Sequence, residues 1–222
     1  MEEHAVKEEK VSNYVRLCQE WADKFLKMDQ KNLRKRVPEL KEENDFLTIV
    51  HFGRKYGISL EDGKICSMDG KREPDTTEML NIYTLLGYAK EDAFFMDKWV
   101  PFADLRNARP FAPAYKIAET DVFGSTFSGH AEQLRKACLE LGGRELPQGD
   151  VGYEIKAFAC MPMRFFFWER DDEFEAQGNI LFDYSATDFN HVESAVSITD
   201  SGIKRLAEIA GVPVCGKTFE MR

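Results

Sequence analysis

Between Val11 and Leu26 the apolar residues Val11, Tyr14, Val15, Cys18, Trp21, Ala22, Phe25 and Leu26 recur at helical spacing, which predicts an amphipathic helix ending near Asp29. The pattern then changes. Phe46–Phe52 is short and β-branched and predicts a strand. Ile58–Leu60 and Lys64–Cys66 flank Glu61-Asp62-Gly63, a hairpin signal, because Asp-Gly supplies the positive φ of a tight turn. Asp69-Gly70 reads as a second turn. A helix follows from a cap at Thr76 or Thr77 through Leu86, with Gly87 as its stop. Another is capped by Ser128, carries Ala131, Leu134, Ala137, Cys138 and Leu141, and closes at Gly142-Gly143. Tyr153–Ala157 alternates as a half-exposed strand, and Asn179–Asp183 predicts a further short strand. Met163–Trp168 is almost wholly apolar, as in a central strand buried on both faces. A last helix covers Asp200–Ala210, ended by Gly211 and Pro213.

Residues 91–117 fit neither period. Pro101, Pro110 and Pro113 stand there among Phe94, Phe95, Trp99, Phe102, Phe111 and Tyr115. An irregular segment so long and so apolar is expected to cover something, as a lid on the core or a wall of a pocket. With no repeat, linker or break in composition, the expected architecture is one α+β domain over residues 11–215. It has about four helices packed on a mixed or antiparallel sheet, preceded by a charged, flexible N-terminus at residues 1–10.

Composition narrows the function classes. Thirty basic against 39 acidic residues leave a net charge of −9, which disfavours nucleic acid as a partner. The one basic cluster, residues 31–36, reads as a solvated helix end. No apolar run approaches a membrane span, and Met1-Glu2-Glu3-His4 does not begin a signal peptide. The five cysteines, Cys18, Cys66, Cys138, Cys160 and Cys215, include no Cys-x-x-Cys pair, so neither a zinc ribbon nor an iron–sulfur ligand run is written here. Free thiols in a reducing cytoplasm are expected instead. Phosphate-cradling glycine motifs and a nucleophile elbow are missing from the sequence.

Three groups of residues could carry chemistry. After the aromatic strand, Asp171, Asp172 and Glu173 belong to a run of carboxylates between Trp168 and Glu175. Partly buried, they would supply a catalytic proton donor; solvated, they form a polar turn in which one Asp caps backbone amides. Asp183, His191 and Glu193 are the residue types of a divalent-metal site, and equally of a surface histidine with acidic neighbours. Trp99, Phe102, Arg106, Arg109 and Tyr115, with Trp168, would suit a flat or hydrophobic anionic ligand such as a carboxylated tetrapyrrole. The alternative is a loop packed by its own aromatics. His51, in an apolar strand, reads as a core histidine.

Several ordered blocks resemble the bacterial domain of unknown function 3786 family, common in strict anaerobes. They are Trp99-Val100-Pro101-Phe102 with Leu105; Leu141-Gly142-Gly143 with Gly149-Asp150; Pro162 opening an apolar strand; Trp168 with Asp171-Asp172-Glu173-Phe174; and Ile180-Leu181-Phe182-Asp183 with Glu193. The hairpins of residues 46–71 fit the front half, so the resemblance spans roughly residues 30–205. The family's function is unassigned. Some similar members carry a cysteine-rich iron–sulfur segment of the kind found beside corrinoid proteins, which implies anaerobic one-carbon or corrinoid metabolism; this chain lacks that cysteine motif. The expected function is a cytoplasmic binding or accessory protein of such metabolism, holding a small molecule or a protein of that pathway. The alternative is a small enzyme using the carboxylates or a metal.

Overall fold

In the computed structural model of the protein, residues 13–216 are described, and the expected N-terminal segment 1–10 lies outside them. The first helical period is realised as α1 (Asn13–Phe25), whose stripe of Cys18, Trp21, Ala22 and Phe25 is buried. The basic cluster falls in α2 (Gln30–Arg36), where Arg34, Lys35 and Arg36 occupy the last turn and complement the helix dipole. Four antiparallel strands follow as a meander: β1 (Lys41–Glu43), β2 (Phe46–His51), β3 (Arg54–Ser59) and β4 (Ile65–Ser67). Gly63, with φ of 73°, makes the expected turn between β3 and β4.

Helix α3 (Thr76–Tyr88) differs from expectation at both ends. Its cap is Asp75, in a reciprocal capping box with Glu78, so neither threonine is needed. Gly87 does not end it. A Cβ there would come within 2.5 Å of the Trp21 ring, so Gly87 lets α1 approach α3 and the helix runs on to Tyr88.

The second sheet is antiparallel with strand order β5-β9-β8-β7-β6, built from β5 (Trp99–Pro101), β6 (Arg144–Glu145), β7 (Val151–Phe158), β8 (Met161–Trp168) and β9 (Gln177–Asp183). The aromatic strand β8 is central, as its apolar run requires. Between β5 and β6, residues 102–127 are mostly helical rather than irregular. Two 3₁₀ turns (Phe102–Asp104 and Arg109–Phe111), α4 (Ala112–Tyr115), a π-turn (Lys116–Thr120) and α5 (Asp121–Phe127) follow one another. Pro110 and Pro113 sit in the first turns of such segments, where a missing N–H breaks no helical bond. Ser128 closes α5, and His130, not Ser128, caps α6 (Ala131–Glu140). Phe165 and Phe167 of β8 pack on Phe123 of α5, with ring centroids 5.6 and 6.3 Å apart. On the opposite face of β8 the Arg164 guanidinium lies 3.8 Å from the Trp99 ring centroid and donates to Glu154.

After α7 (Ala186–Phe189) comes α8 (Val192–Ala210), 19 residues long and closed by Gly211 at φ 68°. It starts eight residues before the expected Asp200. Its first half buries Ser194, Ser197, Thr199, Asp200 and Ser201 beside Val192, Ala195 and Ile198, so its apolar stripe there is narrow and flanked by buried polar residues. Asn81 of α3 satisfies this face: Nδ2 donates to Ser201 Oγ at 3.0 Å and Oδ1 accepts from Ser197 Oγ at 2.6 Å. His51 joins the network as a core histidine. Its Nδ1 donates to Ala157 O at 3.0 Å, so Nε2 accepts from Asn81 Nδ2 at 3.4 Å. Burial pushes the His51 pKa down to about 4, consistent with this neutral form.

The sheets are joined at the β2–β3 turn. Phe52 (φ 42°) and Gly53 (φ 75°) form a primed hairpin turn, a strained backbone for a phenylalanine. Phe52 is held there from outside: its N–H donates to Ala157 O of β7 at 3.0 Å, and its ring packs where a Cβ on Gly202 of α8 would lie within 2.7 Å. Buried apolar side chains of both sheets and the helices make one continuous cluster. Asn81→Leu should lower stability by about 2–3 kcal/mol, since the buried His51 acceptor and the α8 hydroxyls lose their partner. A urea titration reads this as a lower midpoint at unchanged slope; an unmoved midpoint would show that the network does not hold α8.

Candidate functional site

Asp188, on α7, is 8% exposed and receives both charges that approach it. Arg106 binds it in a two-pronged pair, Nη1 to Oδ1 and Nη2 to Oδ2, both at 2.5 Å. Lys90, just beyond α3, places Nζ 2.6 Å from Oδ1, and its N–H donates to the Asp188 carbonyl at 2.9 Å. Hydrogen bonds from Arg106, then Lys90, hold the Asp188 carboxyl below the usual carboxylate range. The Arg106 guanidinium also lies 5.1 Å from the centroid of Tyr184. One carboxylate thus ties together the ends of α3, the segment after β5 and α7.

These groups surround a cleft of about 230 Å³ lined by Tyr88, Lys90, Arg106, Asn107, Thr187, Asn190, His191 and Val192. The last two open α8, so the positive end of this 19-residue helix borders the cleft. Asn190 is 3% exposed; its Oδ1 accepts from His191 N–H at 2.8 Å, and its Nδ2 has no partner. Thr187 Oγ1, on the same cleft, is also buried and unpaired. His191 caps α8 through Nδ1, which accepts from Glu193 N–H at 3.3 Å, and its ring lies 5.5 Å from that of Tyr88. The cleft therefore collects two cations sharing one carboxylate, a helix N-terminus and unsatisfied donors. It is chemically suited to an oxyanion.

Of the aromatic and cationic residues singled out in the sequence, Arg106 alone lines this cleft. Phe102 and Tyr115 are buried and stacked on each other, centroids 4.1 Å apart, because the helical turns of 102–127 fold them onto Phe182 in the core. Arg109 is exposed. Trp99 is covered by Arg164 and Phe95, and Trp168 is 39% exposed against Phe166 on β8. These six do not form one wall.

The acidic run does not form a proton donor. Asp171, Asp172 and Glu173 are exposed, and Asp171 Oδ1 accepts from Glu173 N–H and Phe174 N–H, each at 2.8 Å. Those bonds lower the Asp171 pKa, the opposite of what a general acid near neutrality needs. Asp183 is likewise committed. Buried at 2% exposure, it accepts from Met96 N–H (3.1 Å), Lys98 N–H (2.8 Å), Ser185 N–H (3.0 Å) and the Ser185 hydroxyl. His191 and Glu193 sit at the exposed start of α8 instead, and among the described residues no three His, Cys, Asp or Glu side chains converge to hold a metal. Burial pushes the Cys18 thiol to about 11 and that of Cys138 to about 12, so neither is a ready nucleophile.

Tyr88, Lys90, Asn107, Thr187 and Asn190 were not identified from the sequence. A faint signal exists in Asn190-His191, polar residues directly before the first turn of α8. The π-turn hides another charged group: Glu119 is fully buried, neither carboxyl oxygen has a hydrogen-bond partner, and burial with the Asp200 charge raises its pKa to about 9.

The family profile described as Domain of unknown function (DUF3786) matches residues 33–205, more than half of the chain. The protein belongs to that family. No curated protein and no solved structure matches the chain. Among the described residues no helix is long and apolar enough to cross a membrane.

Because Glu119 binds its proton more tightly folded than unfolded, stability should fall as pH rises from about 4.5 towards about 9. The slope from this group is at most about 1.4 kcal/mol per pH unit. Denaturation of wild type and Glu119→Gln at pH 5.5 and 8.5 isolates it. The variant should lose part of the decline and be the more stable at pH 8.5; equal slopes would contradict a buried protonated Glu119.

Proposed function

We propose that the protein is a binding or accessory protein that holds an oxyanion, a carboxylate or a phosphate group, in the cleft at the start of α8. One observation carries the reading. Asn190, a lining residue of the cleft, is buried with Oδ1 bonded to the His191 N–H and Nδ2 unpaired, beside the Lys90 and Arg106 cations. An unpaired buried donor costs about 1–3 kcal/mol, which a bound acceptor would recover. In another charged cavity, around Arg54, Arg72, Lys204 and Arg205, every cation is paired with Glu208, Glu78 or Asp200.

Size limits the ligand. Ligand sites for drug-sized molecules occupy roughly 300–1,000 Å³, so a cleft of about 230 Å³ takes a head group rather than a macrocycle. The corrinoid or tetrapyrrole suggested by the family resemblance would fit only through a peripheral carboxylate. An anaerobic, cytoplasmic setting rests on that resemblance alone. Metal-dependent catalysis by Asp183, His191 and Glu193 has no support in the geometry, because Asp183 is spent on backbone amides.

Thermal denaturation at pH 7 with inorganic phosphate or with acetate, each against chloride of equal ionic strength, tests the reading. The preferred anion should stabilise the wild type by about 2.7 kcal/mol at one hundred times its Kd. Asn190→Asp keeps the acceptor for His191 N–H at the helix start but replaces the donor with a negative charge, so the folded variant should lose the response. If neither anion exceeds chloride, the proposal is wrong.

A further inference from the structure

The oxyanion cleft has a neighbour of opposite character. A groove of about 450 Å³ runs between α1, α3 and α8, with Leu17, Trp21, Leu80 and Val196 on its walls and Phe111 reaching in from the segment after β5. Polar residues also border it, but their hydroxyls turn to one another and to the core. Ser194 Oγ donates to Thr84 Oγ1 at 3.2 Å, and Ser197 Oγ donates to Asn81 Oδ1 at 2.6 Å. Glu193, which is exposed, stands at the rim. The groove thus offers an apolar lining of native side chains, with few free hydrogen-bonding groups.

The two cavities share a border. Val192 lines the cleft, and Glu193 and Ser194, the next residues of the same helix turn, line the groove. Tyr88 stands between them: its ring centroid is 5.5 Å from His191 on the cleft side and 5.9 Å from Trp21 on the groove side. Tyr88 is 50% exposed, so its ring lies at the surface beside the cleft. The chain after β5 serves both cavities, Arg106 and Asn107 in the cleft and Phe111 in the groove.

We infer that the ligand is an amphipathic anion, its carboxylate or phosphate held by Arg106, Lys90 and Asn190 and its apolar chain laid past Tyr88 into the groove between α1, α3 and α8. The inference rests on the oxyanion reading of the cleft and adds the chemistry of the rest of the molecule. A head group alone fills the smaller cavity, and the larger one, apolar but for Glu193 at its rim and a few self-paired hydroxyls, takes an alkyl chain.

Isothermal titration of the full-length protein with straight-chain carboxylates from acetate to decanoate, with the matching alkyl phosphates, and with decanol tests it. Binding should tighten about fourfold per methylene, the equivalent of ~0.8 kcal/mol per buried CH2, until the groove is filled. The uncharged alcohol should bind far more weakly than decanoate, and the series whose head group fits better should be the tighter throughout. Val196→Trp, which fills the groove from a half-exposed position on α8, should flatten the dependence on chain length while acetate or phosphate still binds. Phe111→Ala, on an exposed turn, should weaken decanoate several-fold and leave the short anions unchanged. Short anions that bind with no gain from chain length would overturn the amphipathic ligand and leave the oxyanion cleft standing. A chain-length gain equal in wild type and Val196→Trp would place the chain elsewhere and overturn it too. Failure of every anion, short or long, would remove the cleft reading itself.

Discussion

Helix α8 lies in the interior with a row of hydroxyls where a core helix ordinarily carries leucine, and the Asn81 carboxamide is what makes that position tolerable. Through it Ser197 and Ser201 of α8, His51 of β2 and α3 itself share one hydrogen-bonded network in a water-poor setting. Such a network is costly when half-satisfied and specific when complete. Its geometry fixes the height and rotation of α8 against α3. The Phe52 turn depends on the same placement, because its strained backbone is supported by Gly202 on α8 and Ala157 on β7.

With α8 so placed, its first turn faces the end of α3, and the residues that approach it are held by one ion pair. Arg106 and Lys90 both close on Asp188, which brings the segment after β5 against α7. The cleft is the space left between these fixed parts, and its positive character follows from two cations sharing one carboxylate at a helix N-terminus. The apolar groove lies between α1, α3 and α8. A partly buried pair of this sort is weak evidence for stability. Its value here lies in position.

Much of this fold is legible in the residue pattern. The α+β class, the helix of Trp21 and Phe25, the Asp62-Gly63 hairpin and the central strand Met163–Trp168 all rest on local signals that tertiary packing reinforces. Elsewhere tertiary packing overrides the local signal. Ser194, Ser197 and Thr199 hide the first half of α8, since buried hydroxyls satisfied by Thr84, Asn81 and the helix's own Ala195 carbonyl leave no apolar period. Gly87 looks like a helix stop and is instead a place for the Trp21 ring. The candidate sites were less legible still. Phe102 and Tyr115 are aromatic for the sake of the core, and Asp171 for the sake of a turn. Arg106 stood out by its company, whereas Asn190 is informative only because its amide nitrogen lacks a partner, a fact that exists in three dimensions alone.

The side-chain amide of Asn190 is therefore the most direct reporter of the account. Two-dimensional nitrogen–proton NMR can follow its resonances while phosphate or acetate is added at constant ionic strength. If the amide is the cleft's vacant donor, its proton signals should move downfield, saturably, together with the backbone amides at the start of α8. Saturable shifts confined to other surfaces, with the Asn190 amide unmoved, would rule out oxyanion recognition by this cleft.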